Sequence, residues 1–598
     1  MRQPLRDPLL ALFCVTLCVA ALPVAALDSL DFRFAPGTSD ALQASIRAAS
    51  ALTQAKAENR TEPADITAAA LTDYRRLTEV LYDAGHYSGV IRIALDGDEA
   101  ALIPPFATPA TVRAVTVTLD PGPAFRFGGV EIAPLAPGTV LPPGLAPGDP
   151  ALAGQLSGGV TQAVTDWRAA SYAKAGVSAE TITADHAQRR LDAVVRIDPG
   201  PPVRFGRLIV TPGSAVIDKR IRAIAGLPEG AAFDPTKLAK SADRLRRTGT
   251  FRSVALTEAE GLNPDGSMDI TATLVDETPR RYGVGAELSS FEGLALSGFW
   301  MHRNALGRAD RFRIGGEVTG LGGQTGGPDY ELTARFDRPA VYGPDTAFFA
   351  DFSLSDIDDP LFTSRRLDAG IGASRQISDT LTGELEILYT AARAEYRTFR
   401  RDFQYLQFPA SLIWDRRDAI LNPTKGSYAR TTLAPFAGLA GTESGVRGQI
   451  DARAYRRTSD RVVLAARMQG GALWGASLDG VLPEFLFSSG GGGTVRGHPY
   501  QSLGVAAPGG GRSGGRGFAA LSLEARVDIT PRIGLVGFTD MGFLSADPDF
   551  SAGVTHVGAG LGLRYDTPLG PLRVDIAGPV SGSTGNGVQV YIGIGQAF

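Results

Sequence analysis

HVGAGLGLRY, residues 556–565, can be read in only one regular way. In an extended chain successive side chains point to opposite sides. Val557, Ala559, Leu561, Leu563 and Tyr565 then share one face, and His556, Gly558, Gly560, Gly562 and Arg564 share the other. LSLEARVD, residues 521–528, repeats the pattern, with Leu521, Leu523, Ala525 and Val527 opposite Ser522, Glu524, Arg526 and Asp528. One face is apolar and the other is charged or small.

The same texture fills residues 281–598. Sixteen alternating segments start near 282, 293, 309, 329, 346, 365, 380, 403, 426, 445, 461, 517, 533, 556, 571 and 586. No helical period interrupts them. A soluble sandwich also alternates, but sixteen strands without a helical layer favour closure, which removes sheet edges. The spacing of about 20 residues per strand and turn suits a transmembrane β-barrel with long outer and short inner connections. In the last segment, GVQVYIGIGQAF, the residues Val588, Val590, Ile592, Ile594 and Phe598 fall on the expected lipid face.

Upstream the chain repeats itself. VTLDPGPAFRFGGVEI, VRIDPGPPVRFGRLIV and TLVDETPRRYGV place Asp120, Asp198 and Asp276 in register, 78 residues apart each time (198 − 120, 276 − 198). Helices are expected at 40–57 and 69–84, stopped by Gly85, and again over DPTKLAKSADRLRRTG, with Asp234 as N-cap and Gly249 past the end. Each unit reads as β-α-α-β-β, with boundaries at 27–120, 121–200 and 201–280 and the strand-only region at 281–598.

Residues 1–26 read as a signal peptide. Arg2 and Arg6 precede the apolar run LLALFCVTLCVAAL, and Val24-Ala25-Ala26 suits cleavage. Both cysteines, Cys14 and Cys18, fall within it, so no disulfide or thiolate metal site is expected after cleavage. A net charge of −4 gives no basic excess for nucleic acid.

SSGGGGTVRGHPYQSLG, residues 488–504, sits in the long connection 475–516 between the eleventh and twelfth segments. It lacks the Lys-Ser/Thr and following helix of a phosphate loop. GAGLGL (558–563) is strand rather than dinucleotide fingerprint. His86, His186, His302, His498 and His556 show no catalytic or metal spacing. Asp356, Asp358 and Asp359 read as solvated loop charges, with calcium as the alternative. No cofactor, metal or catalytic constellation is expected.

Repeats, leader and barrel together resemble the superfamily of outer-membrane assembly and translocation proteins built from POTRA domains and a barrel. The likeness covers almost the whole mature chain. WDRRDAILNPTKGSYAR (414–430), VRGHPY (495–500), FTDMG (538–542) and GLRYDTPLGPLRVDIA (562–577) carry it. His498 stands where the family's Val-Arg-Gly motif usually has an aromatic residue, and Gln596 replaces the usual apolar residue two before the end.

The resemblance implies three POTRA domains (27–120, 121–200, 201–280) in the periplasm of a Gram-negative cell and a sixteen-strand barrel (281–598) in its outer membrane. It implies that the 475–516 loop folds into the lumen, where Arg496, beside Gly497, meets Asp540, supported by Glu524 and Gly542. A lateral seam is expected between the first and last strands, with Gly283 and Gly285 on one side and Gly593 and Gly595 weakening the other. Phe598 would serve as the barrel-end signal. Three repeats point to the TamA-like branch, with a TamB-like inner-membrane-anchored partner and unfolded outer-membrane or autotransporter-like clients. A dedicated two-partner-type secretion pore and a plain porin are the competing readings.

Overall fold

A computed structural model describes residues 28–598 except 61, 105–108, 291, 325, 361, 397–399, 508–510, 569, 585–586 and 597. The signal-peptide reading falls outside the described residues. Two compact units emerge: one runs to Arg204 and includes Ala231–Pro235, and the other comprises Phe205–Gly230 and Thr236–Phe598.

In the first unit, Ser29–Phe34 pairs in parallel with Ala114–Asp120, and Val90–Leu95 and Asp98–Glu99 complete the sheet. Ile46, Leu52, Leu77 and Val117 are buried between this sheet and its helices. The helix expected at 40–57 is two helices, Asp40–Ala49 and Ala51–Ala57. Ser50 breaks it: its backbone is extended, its hydroxyl accepts from Thr53, and it donates to the buried Asp73 carboxylate at 2.6 Å. The next helix is longer than expected, Pro63–Asp83, because Pro63 suits a first turn.

A second sheet orders the strands Arg126–Ala133, Arg190–Asp198 and Gly176–Asp185. Only one helix, Ala153–Ala169, accompanies it among the described residues, against the two expected. Prolines 134, 137, 142, 143, 147 and 150 explain the difference, since each removes a helix donor and restricts the residue before it. Part of that loop covers one sheet edge, with Phe127 donating to Asp149 and Gly148 to Phe127. The opposite edge, Gly176–Asp185, is exposed along nearly its whole length.

The third sheet orders Arg204–Val210, Ser267–Asp276 and Phe251–Glu258; helix Pro235–Arg247 lies where expected, and Asp218–Ala225 supplies the other helix of the β-α-α-β-β pattern.

Residues from Arg280 onward close into a barrel of sixteen antiparallel strands. Arg400–Gln407 and Ala410–Asp415 are halves of one strand, since both pair with Leu381–Tyr396 and with Gly426–Leu439. Pro409, which has no N–H for the ladder, marks the interruption. The alternation of 556–565 holds: Leu561 is 74% exposed on the outer wall, whereas Arg564 is 4% exposed inside. Leu523, Leu535 and Ile576 extend the outer apolar belt.

Turns at one end of the barrel meet the third sheet's helices. Ile217 donates to Gly307, Arg220 to Pro339 and Ala340, and Arg244 grips both oxygens of Asp345 at 2.8 and 2.6 Å. The 475–516 connection leaves from the opposite end.

Candidate functional site

Strands twelve to fifteen, Gly517–Asp528, Ile533–Ser545, Val554–Thr567 and Gly570–Ser581, carry an unusual lumen face. Alternation turns Glu524, Arg526, Asp540, Arg564 and Asp575 inward from four neighbouring strands. All are almost fully buried.

The 475–516 connection folds over them. Val481, Leu482, Phe485, Leu486 and Phe487 pack on Tyr405, Phe436, Phe518 and Leu544 of the wall. This apolar anchor lowers the loop tip into the lumen. Gly497 makes the final approach possible: its φ is +92°, and a Cβ there would lie 2.7 Å from the Gly578 backbone.

Arg496 ends at the centre of the charged wall and is 2% exposed. Its Nε donates to Asp540 Oδ2 at 2.7 Å and its second terminal nitrogen to Oδ1 at 3.0 Å, a two-pronged form of the contact that the resemblance implied. The other terminal nitrogen donates to Glu524 at 2.8 Å and Asp575 at 3.2 Å. The guanidinium lies 3.5 Å from the Phe538 ring centroid, a cation–π contact with the first residue of the FTDMG motif. Arg526 pairs with Glu524 at 2.8 Å, and Arg564 with Asp575.

The network therefore holds three guanidiniums, Arg496, Arg526 and Arg564, against three carboxylates, Glu524, Asp540 and Asp575. Charge balance is what makes such burial tolerable. Removing one member leaves an uncompensated buried charge, at a cost of about 3–5 kcal/mol. Gly542 supports the site by leaving space: a Cβ there would meet the Ser489 hydroxyl and the His556 ring.

The sequence reading brought together Arg496, Gly497, Asp540, Glu524 and Gly542, but missed Asp575, Arg526, Arg564 and Tyr591 as members. Asp575 lies inside the quoted segment 562–577, and strict alternation would have placed it inward. Tyr591 of the last strand accepts from Gly497 N at 3.2 Å and donates to Gln589 at 2.7 Å. The charged wall is thereby connected to the seam.

That seam is slight. Arg280–Ser289 and Gly293–His302, strands one and two, pair over their whole length. Strand one meets strand sixteen, Gln589–Ile594, at Leu288–Ile592 and Ser289–Tyr591, and Ser290 just beyond it donates its N–H to the Val590 carbonyl at 3.0 Å and accepts from Val590 N at 3.0 Å through its hydroxyl. Gly283 and Gly285 sit against Phe299 and Ser297 of strand two, not against the last strand. Gly593 lies where Arg573 of strand fifteen reaches across to Glu287 of strand one at 2.6 Å.

Gly595 ends the strand with φ +97°, and the chain turns inward. Phe598 is consequently not on the lipid face. It is buried in the lumen against Tyr455, and its carbonyl accepts from Arg526 at 3.2 Å. Gln596, polar where the alternation wants an apolar residue, accounts for the correction: it bonds Arg564 at 2.9 Å and Asn422 at 3.0 Å inside. Beside the seam, a cavity of about 1000 Å³ remains open in the lumen, lined by Glu287, Glu292, Glu317, Asp329, Arg447 and Arg512 among others.

Residues 304–598 match the Omp85 superfamily domain. Over 405 residues the chain is 25% identical to the outer membrane protein assembly factor BamA of Nitratidesulfovibrio vulgaris, covering 64% of this chain and 49% of that protein. The chain thus spans about half the length of the curated relative it matches. The crystal structure of BamA from Haemophilus ducreyi lacking POTRA domains 1–3 superposes with a TM-score of 0.63 at 16% identity, covering 79% of this chain and all of that one. CdiB from Acinetobacter baumannii gives 0.50 at 12% identity, covering 79% and 90%. With the outer apolar belt, these matches place the barrel in the outer membrane and the preceding α+β units in the periplasm.

Proposed function

We propose that this chain is an outer-membrane protein assembly factor of the TamA-like kind, with three POTRA domains at 27–120, 121–200 and 201–280. It helps barrel or autotransporter-like clients to insert, using strand addition in the periplasm and a lateral seam in the membrane. The observation that carries the reading is the asymmetry of closure. Among the described residues Arg280–Glu287 of strand one does not pair with the last strand, and it lies beside an open part of the lumen.

Unsatisfied backbone groups are costly in lipid, so an incoming client strand gains by completing that edge. Insertion then draws on the client's own burial and needs no cofactor. In the periplasm, Gly176–Asp185 is the better-placed edge for an extended client or a TamB-like partner, since loop 148–150 partly occupies the edge of Arg126–Ala133.

The test is a disulfide across the seam. Leu288 and Ile592 are directly opposed, so Leu288→Cys with Ile592→Cys should abolish client insertion when oxidised and restore it on reduction. Full activity in the oxidised state sinks the seam mechanism.

A dedicated two-partner-type secretion pore is the second reading, favoured by the open lumen cavity. Comparing outer-membrane and secreted proteins in cells with and without the chain separates the two. Loss of several barrels supports the assembly factor; loss of one secreted protein with all barrels intact supports the pore.

A further inference from the structure

His498 of the lumen loop and His556 of strand fourteen are both fully buried, with ring centroids 4.3 Å apart. Their hydrogen bonds fix where the protons sit. His498 Nε2 faces the Val557 carbonyl at 3.0 Å, and a carbonyl only accepts, so this nitrogen carries the hydrogen. In the neutral ring Nδ1 is then bare and accepts from Thr584 Oγ1 at 3.0 Å. With its own hydrogen so engaged, Thr584 accepts from His556 Nδ1 at 3.2 Å. His556 Nε2 is left bare and accepts from Ser489 Oγ at 2.8 Å.

A one-way chain of donors thus runs Ser489, His556, Thr584, His498, Val557. In this chain both rings are neutral, as opposite tautomers. It ties together the lumen loop (Ser489, His498), strand fourteen and the connection that follows strand fifteen (Thr584). Gly542 of strand thirteen leaves the space for it.

A further proton breaks this chain. On His498 Nδ1 it would turn that nitrogen into a donor, so the Thr584 hydrogen would lose its acceptor. On His556 Nε2 it would oppose the Ser489 hydrogen. Protonating both rings would stack two cations. No carboxylate bonds either ring among the described residues. Of the charged groups on the loop and the neighbouring strands, Arg496 and Asp540 are bound to each other, as are Arg564 and Asp575.

We propose that His498 and His556 form an acid-sensitive clasp that helps to hold the loop tip on the wall while neutral and loosens it as pH falls below histidine's ordinary range, about 6–7. The proposal does not depend on which clients or substrates the barrel handles.

The test is conductance of the full-length protein in planar lipid bilayers, lowering the pH on the loop side from about 7.5 to about 5. Opening frequency should rise about ten-fold in the parent and stay flat in His498→Phe, which keeps an aromatic ring without the titrating nitrogens. A heat-modifiable band on a gel checks that the variant barrel is folded; if it is not, His556→Gln carries the same comparison. A flat parent response overturns the proposal. So does an equal rise in parent and variant, which would assign the effect to carboxylates.

Discussion

Two parts of one barrel are held in opposite ways. Strands twelve to fifteen pair over 11 to 12 residues at each ladder and are tied across the lumen by Arg496. Among the described residues strands one and sixteen share two pairs, extended by the Ser290–Val590 hydrogen bonds, with one ion pair reaching over Gly593. The difference teaches where motion belongs. A wall whose charges balance only when every member is present resists partial opening, because each intermediate leaves a buried charge exposed to apolar surroundings. A seam this short has little to lose.

The sharpest way to break this contrast is Arg496→Ala. It leaves Asp540, Glu524 and Asp575 buried without their shared cation, and should destabilise the closed wall by about 3–5 kcal/mol. Thermal unfolding of the folded band in detergent would read this directly. If the loss is no larger than for an exposed arginine, the wall is not the rigid part. Arg496→Glu should impair function more, with Asp540→Arg restoring only a fraction, because Glu524 and Asp575 still face the exchanged acid.

Next in size is the seam itself. The oxidised Leu288→Cys, Ile592→Cys pair should raise stability by about 2–4 kcal/mol if the barrel begins to unfold there. No gain would mean that unfolding starts elsewhere. Tyr591→Phe tests the link between the two regions. It strands the buried Gly497 N–H and should cost about 1–2 kcal/mol, visible as a lower melting temperature and easier proteolysis of the loop.

Smallest is Asp345→Asn at the barrel's other end. Arg244, Arg247 and Lys240 converge on it, but two of them are well exposed. The effect should stay near 1 kcal/mol or below and fade with added salt.

The loop tip and its carboxylate were legible because the VRG and FTDMG motifs carried the resemblance, and because alternation says which side of a strand faces in. Sixteen strands were legible for the same reason: a period of two survives even when each segment is weak. The errors have local causes. Ser50 splits a helix whose apolar period continues through it. Prolines 134–150 remove a helix that the repeat implied. Phe598 follows the lipid-face count, yet Gly595 turns the chain before that count can apply.

Alternation and repetition are properties of neighbouring residues, so the sequence by itself determined a closed barrel behind three α+β units, and which residues face its lumen. It could not determine how much of strand one the last strand covers, that Arg496 serves three carboxylates rather than one, or that two histidines 58 positions apart (556 − 498) share one hydroxyl. Those depend on barrel closure and on how far a loop descends. Only the packing of distant segments fixes them.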